Sequence, residues 1–230
     1  MNWMKKVAVA LVCLLPLGLQ AAKVDTLQVK SPSMNKSIEV VVVSPDMAAT
    51  EACPVIYLLH GYGGNARTWV GIKPDLPKIA DEKGIFFVCP DGKNTWYWDS
   101  PLNADVRYET FISDELVKYV DSHYKTVADR KGRAITGLSM GGHGAMWNGL
   151  RHSDVFSAAG STSGGVDIRP FPKNWEMSVQ IGEKAKYPEN WEKYTVINLV
   201  PTLRKDQIAL IFDCGDSDFF LEVNKNYHEA

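Results

Sequence analysis

Short apolar runs alternate with longer segments of helical character along most of the chain. Several of the short runs are unbroken, which is typical of strands in a sheet that is covered on both faces. The longer segments are typical of helices that bury one side. The predicted strands cover residues 38–43, 55–59, 85–89, 134–138, 156–159 and 208–212, and the predicted helices cover residues 76–83, 108–123, 142–151 and 219–229.

This alternation predicts an α/β domain with a mostly parallel sheet and helices on both faces. Sheets of this kind bind their ligands outside the carboxyl ends of the strands. Gly61, Asp91, Ser139 and Gly215 each follow a predicted strand within a few residues, so we expect them at that edge. Since no repeat or linker divides residues 23–230, we predict one domain there.

The first 22 residues have the composition of an export signal. Lys5 and Lys6 precede the apolar run 7–19, and Gln20-Ala21-Ala22 offers small residues for cleavage. The run contains Pro16 and is shorter than the roughly 20 residues that a transmembrane helix needs. We therefore predict a signal peptide at residues 1–22, export to the periplasm or the medium, and no stable membrane anchor.

The net charge of the chain narrows the choice of partners. The formal net charge is −2 and becomes more negative when Lys5 and Lys6 are removed, which argues against nucleic acid or an anionic membrane as a partner.

The cysteines are not expected to form a disulfide. Cys53 precedes one predicted strand and Cys89 ends another, so parallel strands would hold them apart. We expect these two and Cys214 to be buried, unpaired thiols.

Residues 134–146 carry the strongest chemical signal. They read as a strand, a glycine-tight turn, a serine and then a helix, and the sequence Gly-Leu-Ser-Met-Gly around Ser139 matches G-x-S-x-G. In this motif the serine occupies a strained strand-to-helix corner with its hydroxyl exposed, and the small neighbours let strand and helix approach closely. Ser139 is therefore the predicted nucleophile of an acyl-transfer reaction that proceeds through an acyl-enzyme.

A glycine-rich loop at residues 60–65, His-Gly-Tyr-Gly-Gly-Asn, follows the second of these strands. Glycines let backbone amides approach a substrate oxygen, and in α/β-hydrolases such a loop supplies one oxyanion donor while the residue after the nucleophile supplies the other. The predicted donors are the N–H groups of Tyr62 and Met140. A phosphate-binding loop and an ordinary turn are alternatives, but the loop has neither a P-loop lysine nor the dinucleotide-binding glycine spacing.

Two further regions bear on the site. The acidic loop at residues 213–218 does not follow the order of a calcium-binding loop, so we expect no metal and no cofactor, and interpret the loop as the source of an acid that orients a histidine. Trp96 and Trp98 follow a strand, and the aromatic-rich segment 166–207 is too long for a plain connection. These aromatics either bind substrate, with the long segment as a lid over Ser139, or pack internally.

The motifs HGYGG, GLSMGGHGA and DCGDSDFF, together with RYETFI at residues 107–112, resemble the esterase D / S-formylglutathione hydrolase family of α/β-hydrolases and its feruloyl- and acetyl-esterase-like relatives. The resemblance implies the α/β-hydrolase fold, with Ser139 as nucleophile, Tyr62 and Met140 as amide donors and Asp218 as the triad acid. In that family the histidine follows a further helix and strand. The sequence ends inside that helix, so the resemblance implies that the final strand and helix are missing and that the chain is truncated.

The histidines of this sequence do not replace the missing base. His228 would lie roughly 15 Å along a helix from Asp218, at a rise of about 1.5 Å per residue, so that acid could not orient it. His60 is expected to brace the oxyanion loop and His143 to pack behind the nucleophile, although each is also considered as the base. His123 and His152 are expected at helix ends.

These features predict a serine carboxylic-ester hydrolase. The expected substrates are short-chain, acetyl or feruloyl esters, free or linked to carbohydrate, or thioesters, and aromatic stacking would suit a sugar or cinnamoyl ring. One alternative is a catalytically inactive, secreted carbohydrate-binding protein that uses the aromatic lid. Another is an acyltransferase that delivers the acyl group to a sugar hydroxyl.

Overall fold

A computed structural model describes residues 22–230, so the predicted signal peptide lies, except for Ala22, outside the described residues. Seven strands form one sheet in the order β1-β2-β4-β3-β5-β6-β7. The strands are β1 (Lys23–Ser31), β2 (Lys36–Ser44), β3 (Val55–Leu59), β4 (Phe86–Pro90), β5 (Arg133–Gly137), β6 (Ala158–Thr162) and β7 (Ala209–Asp213).

The sheet is parallel from β4 to β7, while β2 is antiparallel to both β1 and β4. The mostly parallel sheet is therefore confirmed. Five of the six predicted strands match within two residues, and β6 lies two to three residues later than predicted. β1 was missed because it is an edge strand whose polar and apolar residues alternate, so it contains no continuous apolar run.

The helices fall where the longer segments predict them, with short additional ones. The chain from residue 108 to residue 123 is helical throughout, with a π-helical turn at Phe111–Glu115 between two α-helical parts. The α-helices are α1 (Thr68–Ile72), α2 (Leu76–Lys83), α3 (Tyr108–Thr110), α4 (Leu116–His123), α5 (Met140–Arg151), α6 (Met177–Ile181), α7 (Pro188–Lys193) and α8 (Leu221–Glu229).

Both faces of the sheet are covered, except at the edge strand β7, most of whose residues are exposed. Successive residues of β2 point to opposite faces, so Val41 and Val43 join one apolar cluster while Val40 and Val42 join another. The first cluster is covered by α2, and the second by α4, α5 and α8. This arrangement confirms the predicted α/β fold with helices on both faces. None of the helices within residues 22–230 is long and apolar enough to cross a membrane.

The segment 166–207 contains α6, α7 and a 3₁₀ helix at Val196–Thr202, and part of it packs firmly onto the domain. Trp191 is fully buried and its Nε1 donates to the Gly182 carbonyl at 2.9 Å. The hydroxyl of Tyr194 donates to the Asp99 carbonyl at 2.8 Å. For these two aromatics the packing interpretation is therefore correct.

The three cysteines of the described chain are free thiols. Cys53 and Cys89 are buried, as predicted, and burial raises the pKa of both thiols. Cys214 is only partly buried, because it lies in the loop after β7 rather than under a helix, and the prediction of a buried thiol is wrong there.

Candidate active site

Ser139 occupies the corner between β5 and α5. Its φ of 55° and ψ of −117° lie in a region that costs a non-glycine residue on the order of 1–3 kcal/mol. Its N–H donates to the Thr162 carbonyl at 2.9 Å, and its carbonyl accepts from the His143 N–H at 3.0 Å. The strained corner is thus held by β6 on one side and α5 on the other, and the serine remains partly exposed.

The glycines beside Ser139 are required by close backbone contacts. A Cβ added to Gly141 would lie 2.1 Å from the Leu59 carbonyl oxygen, and one added to Gly137 would lie 2.4 Å from the Gly141 carbonyl carbon. Only glycine lets α5 start this close to β3 and β5. The G-x-S-x-G motif therefore has the strand-to-helix geometry that the sequence predicts.

The glycine-rich loop lies against the serine. A Cβ added to Gly61 would be 3.5 Å from the Ser139 Cβ. Within the loop, Gly63 N–H donates to Asn94 Oδ1 at 2.9 Å and Gly64 N–H donates to the Gly61 carbonyl at 3.0 Å. None of these bonds uses the N–H groups of Tyr62 and Met140. The bonds that shape the loop therefore leave the Tyr62 amide free, and the Met140 amide directly follows Ser139 in the chain.

His60 fixes the start of this loop. Its ring is 1% exposed, with Nε2 2.9 Å from the Gly92 N and Nδ1 2.7 Å from the Gly61 carbonyl oxygen. Because the Gly92 amide can only donate, Nε2 must accept, and Nδ1 carries the proton that bonds to Gly61. The expectation that His60 braces the loop is confirmed, since both ring nitrogens are occupied by backbone groups.

His143 is equally enclosed behind the nucleophile. Its Nε2 accepts from Trp98 Nε1 at 2.8 Å, and its Nδ1 bonds to the Gly165 carbonyl at 2.8 Å. The ring is fully buried, and burial lowers its pKa to about 4. A neutral imidazole with both nitrogens engaged is a packing residue, as expected, and has no free lone pair for the Ser139 proton.

The other three histidines lie away from Ser139. His123 Nδ1 is 2.8 Å from the Tyr119 carbonyl oxygen at the end of α4, and His152 Nε2 is 2.8 Å from Glu109 Oε1 after α5. The ring of His228 on α8 faces Phe212, with 6.1 Å between ring centroids. In the structure of residues 22–230, none of these rings is hydrogen-bonded to Ser139 or Asp218.

The acidic loop follows β7 at the carboxyl edge of the sheet. Asp218 is partly buried, its N–H donates to the Gly215 carbonyl at 3.1 Å, and its Oδ1 accepts from the Phe220 N–H at 2.8 Å. Asp216 is exposed and accepts only from the neighbouring Ser217 hydroxyl. Asp218 is therefore the better ordered of the two carboxylates. Within residues 22–230 no group of three or more His, Cys, Asp or Glu side chains is arranged to hold a metal ion.

The structure does not support Trp96 and Trp98 as substrate-binding residues. They are 1% and 0% exposed, and their rings stack with centroids 5.6 Å apart. Each also packs edge-on against His143, at 5.2 and 5.1 Å. No ring face is open to a substrate, because the segment after β6 covers both, and this correction favours the packing interpretation.

The exposed aromatics near the site are instead Tyr62, Trp175 and Phe219. Phe219 is 62% exposed and Tyr62 is 38% exposed, while Trp175 is partly exposed with its ring 5.2 Å from that of Phe219. We define Trp175 and Phe219 as the aromatic rim. The sequence places Trp175 among several aromatics of the possible lid and Phe219 beside the acidic loop, but it does not single out these two rings, because exposure depends on how two distant loops meet.

In a comparison with known protein families, the family model described as "Putative esterase" matches residues 31–230. The chain belongs to this esterase family. It is 22% identical over 198 residues to the S-formylglutathione hydrolase of Mus musculus. This alignment covers 77% of this chain and 68% of that protein. It is 29% identical in sequence to a ferulic acid esterase of known structure, with a TM-score of 0.73 over 91% of this chain and 85% of that one. The resemblance and the α/β-hydrolase fold are confirmed.

A further relative is an esterase of Mycobacterium tuberculosis (strain ATCC 25618 / H37Rv), 30% identical over 149 residues. The match spans 62% of this chain but only 32% of that protein. The chain thus corresponds to about a third of the length of this mycobacterial relative.

Proposed function

We propose that this protein hydrolyses carboxylic esters or thioesters through an acyl-enzyme on Ser139. The Ser139 hydroxyl attacks the carbonyl carbon, the N–H groups of Tyr62 and Met140 bind the resulting oxyanion, and water then releases the acid. The main support for this mechanism is the geometry of Ser139, which is partly exposed and held at φ 55° at the start of α5. It lies beside a loop whose bonds leave the Tyr62 amide unused.

In this proposal Asp218 orients the histidine that takes the Ser139 proton. Support comes from its place at the carboxyl edge of the sheet and from the Phe220 and Gly215 backbone bonds that hold it. Both ring nitrogens of His60 and of His143 are engaged, and His123, His152 and His228 bond or pack elsewhere, so none of these five histidines is assigned as the base.

The substrate proposal rests on the aromatic rim and on the relatives. Trp175 and Phe219 present exposed ring surface, which suits stacking against an aromatic acyl group or a sugar ring. Similar proteins include a ferulic acid esterase and an S-formylglutathione hydrolase. We therefore propose acetyl, short-chain or feruloyl esters, including esters on carbohydrate, or thioesters. Export, inferred from residues 1–22, would place the protein where such polysaccharide esters occur.

The test is hydrolysis of p-nitrophenyl acetate, methyl ferulate and an acyl thioester by the full-length protein and three variants. Ser139→Ala should lower kcat by on the order of a million-fold, and Asp218→Asn by on the order of ten-thousand-fold. Asp216→Asn is the matched control, because this exposed neighbour makes no bond that orients another element, and its kcat should stay within a few-fold of wild type.

Retention of more than a trace of activity in Ser139→Ala would show that the nucleophile lies elsewhere. Equal losses in the two aspartate variants would move the triad acid away from Asp218. Adding a sugar acceptor separates hydrolysis from acyl transfer, because an acyltransferase would form acylated sugar in place of free acid. Binding to a polysaccharide without any acyl release would favour the carbohydrate-binding alternative.

A further inference from the structure

A chain of polar contacts links the oxyanion loop to the segment after β6. The Gly63 N–H donates to Asn94 Oδ1 at 2.9 Å, and Asn94 Nδ2 donates to Glu176 Oε2 at 3.2 Å. The phenol of Tyr62 also faces the Glu176 carboxylate, and burial together with that carboxylate raises the pKa of the phenol. The Glu176 carboxylate is therefore linked to the loop backbone through Asn94, and it also lies near the Tyr62 phenol.

Glu176 is held in place at a cost in backbone strain. Trp175 and Glu176 have φ angles of 49° and 53°, so two consecutive non-glycine residues adopt the left-handed conformation. Each such residue costs on the order of 1 kcal/mol or more. The Trp175 carbonyl accepts from the buried Trp96 Nε1 at 3.1 Å, which anchors the strained pair to the core.

The orientation of the Tyr62 amide depends on this tether. Tyr62 lies between Gly61 and Gly63, and Gly63 itself has a φ of 76°, so the loop backbone has little intrinsic preference for one conformation. The His60 bond to the Gly61 carbonyl fixes one side of Tyr62, and the Asn94 bond to the Gly63 amide fixes the other. An oxyanion donor acts only when it points at the developing charge, so a loose Gly63 would weaken the donor.

We infer that Glu176 is a positioning residue of the oxyanion hole, acting through Asn94 on the loop that carries the Tyr62 amide. This inference rests on the proposed function, in which that amide stabilises the oxyanion. Glu176, which belongs to the long segment after β6, then affects kcat without contacting the substrate.

The first test is amide hydrogen exchange of the loop in the full-length protein, followed by mass spectrometry of peptides that cover residues 60–66. Glu176→Ala should speed exchange of the Gly63 amide by about tenfold, because Asn94 loses its partner. Glu176→Gln should restore protection, since an amide oxygen can still accept from Asn94. Glu183→Ala is the control, because Glu183 is an exposed carboxylate of the same segment that pairs with Lys186 instead.

The second test is steady-state hydrolysis of p-nitrophenyl acetate by the same variants. Glu176→Ala should lower kcat by about tenfold, less than the 10²–10³ of a deleted donor, and leave KM within twofold. Glu176→Gln should recover most of kcat, and Glu183→Ala should match wild type. Unchanged loop exchange in Glu176→Ala would overturn the inference whatever the activity, as would a change in KM alone. Activity that survives Ser139→Ala would instead refute the proposed function.

Discussion

His143 lies four residues after Ser139, yet its surroundings make it part of the core. Trp98 donates to its Nε2, the Gly165 carbonyl occupies Nδ1, and the rings of Trp96 and Trp147 pack around it. Protonation would leave the indole N–H of Trp98 facing another donor within a buried apolar cluster. The neutral imidazole is thus a structural requirement, and stability should depend on it.

We predict that His143 makes stability fall as the pH drops below neutral. Its folded pKa of about 4 lies below the unfolded value of roughly 6.5, so acid protonates the unfolded chain first. The stabilisation is complete above the unfolded pKa and is lost as the pH falls toward the folded pKa. Between pH 7 and pH 5, the wild type should lose about 2 kcal/mol relative to His143→Gln.

Urea unfolding at pH 5, 6 and 7 measures this effect. His123→Gln is the control, because His123 is exposed at the end of α4 and bonds only to its own helix. If the free energies of unfolding of wild type and His143→Gln changed equally with pH across this range, His143 would not be held neutral in the folded state.

Individual residues differ in how far the sequence could predict them. The strained corner at Ser139 follows from G-x-S-x-G, because the motif is local and the glycines have no substitute. The burial of Trp96 and Trp98 could not be predicted, since it depends on residues such as Trp175 that lie about eighty positions away. Glu176 carries no local signal for the same reason.

At the scale of elements, the junction of β5 with α5 is where backbone packing is tightest. Strand β3 lies between β4 and β5, and its last residue, Leu59, lies directly against Gly141 at the start of α5. The Leu138 N–H donates to the Leu59 carbonyl at 3.3 Å. The start of α5, the end of β3 and the turn that carries Ser139 therefore meet at one backbone contact. A side chain at position 141 would break this contact.

We predict that Gly141→Ala destabilises the fold and disables the site together. The added Cβ would lie 2.1 Å from the Leu59 carbonyl oxygen and 2.5 Å from its carbonyl carbon, and backbone atoms in a sheet cannot move aside. Overpacking costs about 1–3 kcal/mol where side chains can adjust, so at least about 3 kcal/mol is expected here. Urea unfolding measures the loss.

Gly71→Ala is the matched control. No atom lies within 4 Å of the Cβ it would add, and alanine is favoured over glycine within a helix by about 1 kcal/mol. The control should be as stable as wild type or slightly more so. A Gly141→Ala protein as stable as this control would mean that α5 can shift away from β3.

The elements themselves were predictable where burial is continuous. β3 and α2 match their predicted bounds, because an unbroken apolar run and a helix ended by left-handed Gly84 are both local signals. β1 alternates polar and apolar residues at the edge of the sheet, and the short helices α6 and α7 depend on packing within the segment after β6. Those elements have no strong local pattern of their own.

At the scale of the whole molecule, the two edges of the described sheet differ. β1 places mostly polar residues at one edge, with Lys23, Asp25 and Lys30 among them. β7 forms the other edge and carries the apolar sequence Ala-Leu-Ile-Phe, of which Ile211 is 76% exposed and Leu210 37% exposed. These two side chains point to opposite faces of the sheet, so apolar surface is open on both sides of β7.

We predict that the polypeptide of residues 23–230 self-associates through β7. Within the described chain β7 pairs only with β6, so its outer N–H and C=O groups and the Ile211 side chain form a template for another strand. Sedimentation velocity over a range of concentrations should show species larger than the monomer, and Ile211→Lys should shift the distribution to monomer. Val179→Lys is the control, because Val179 is 64% exposed on α6, away from the sheet edge, and should leave association unchanged. A polypeptide that stays monomeric at every concentration, or equal effects of the two lysines, would show that the β7 edge does not drive association.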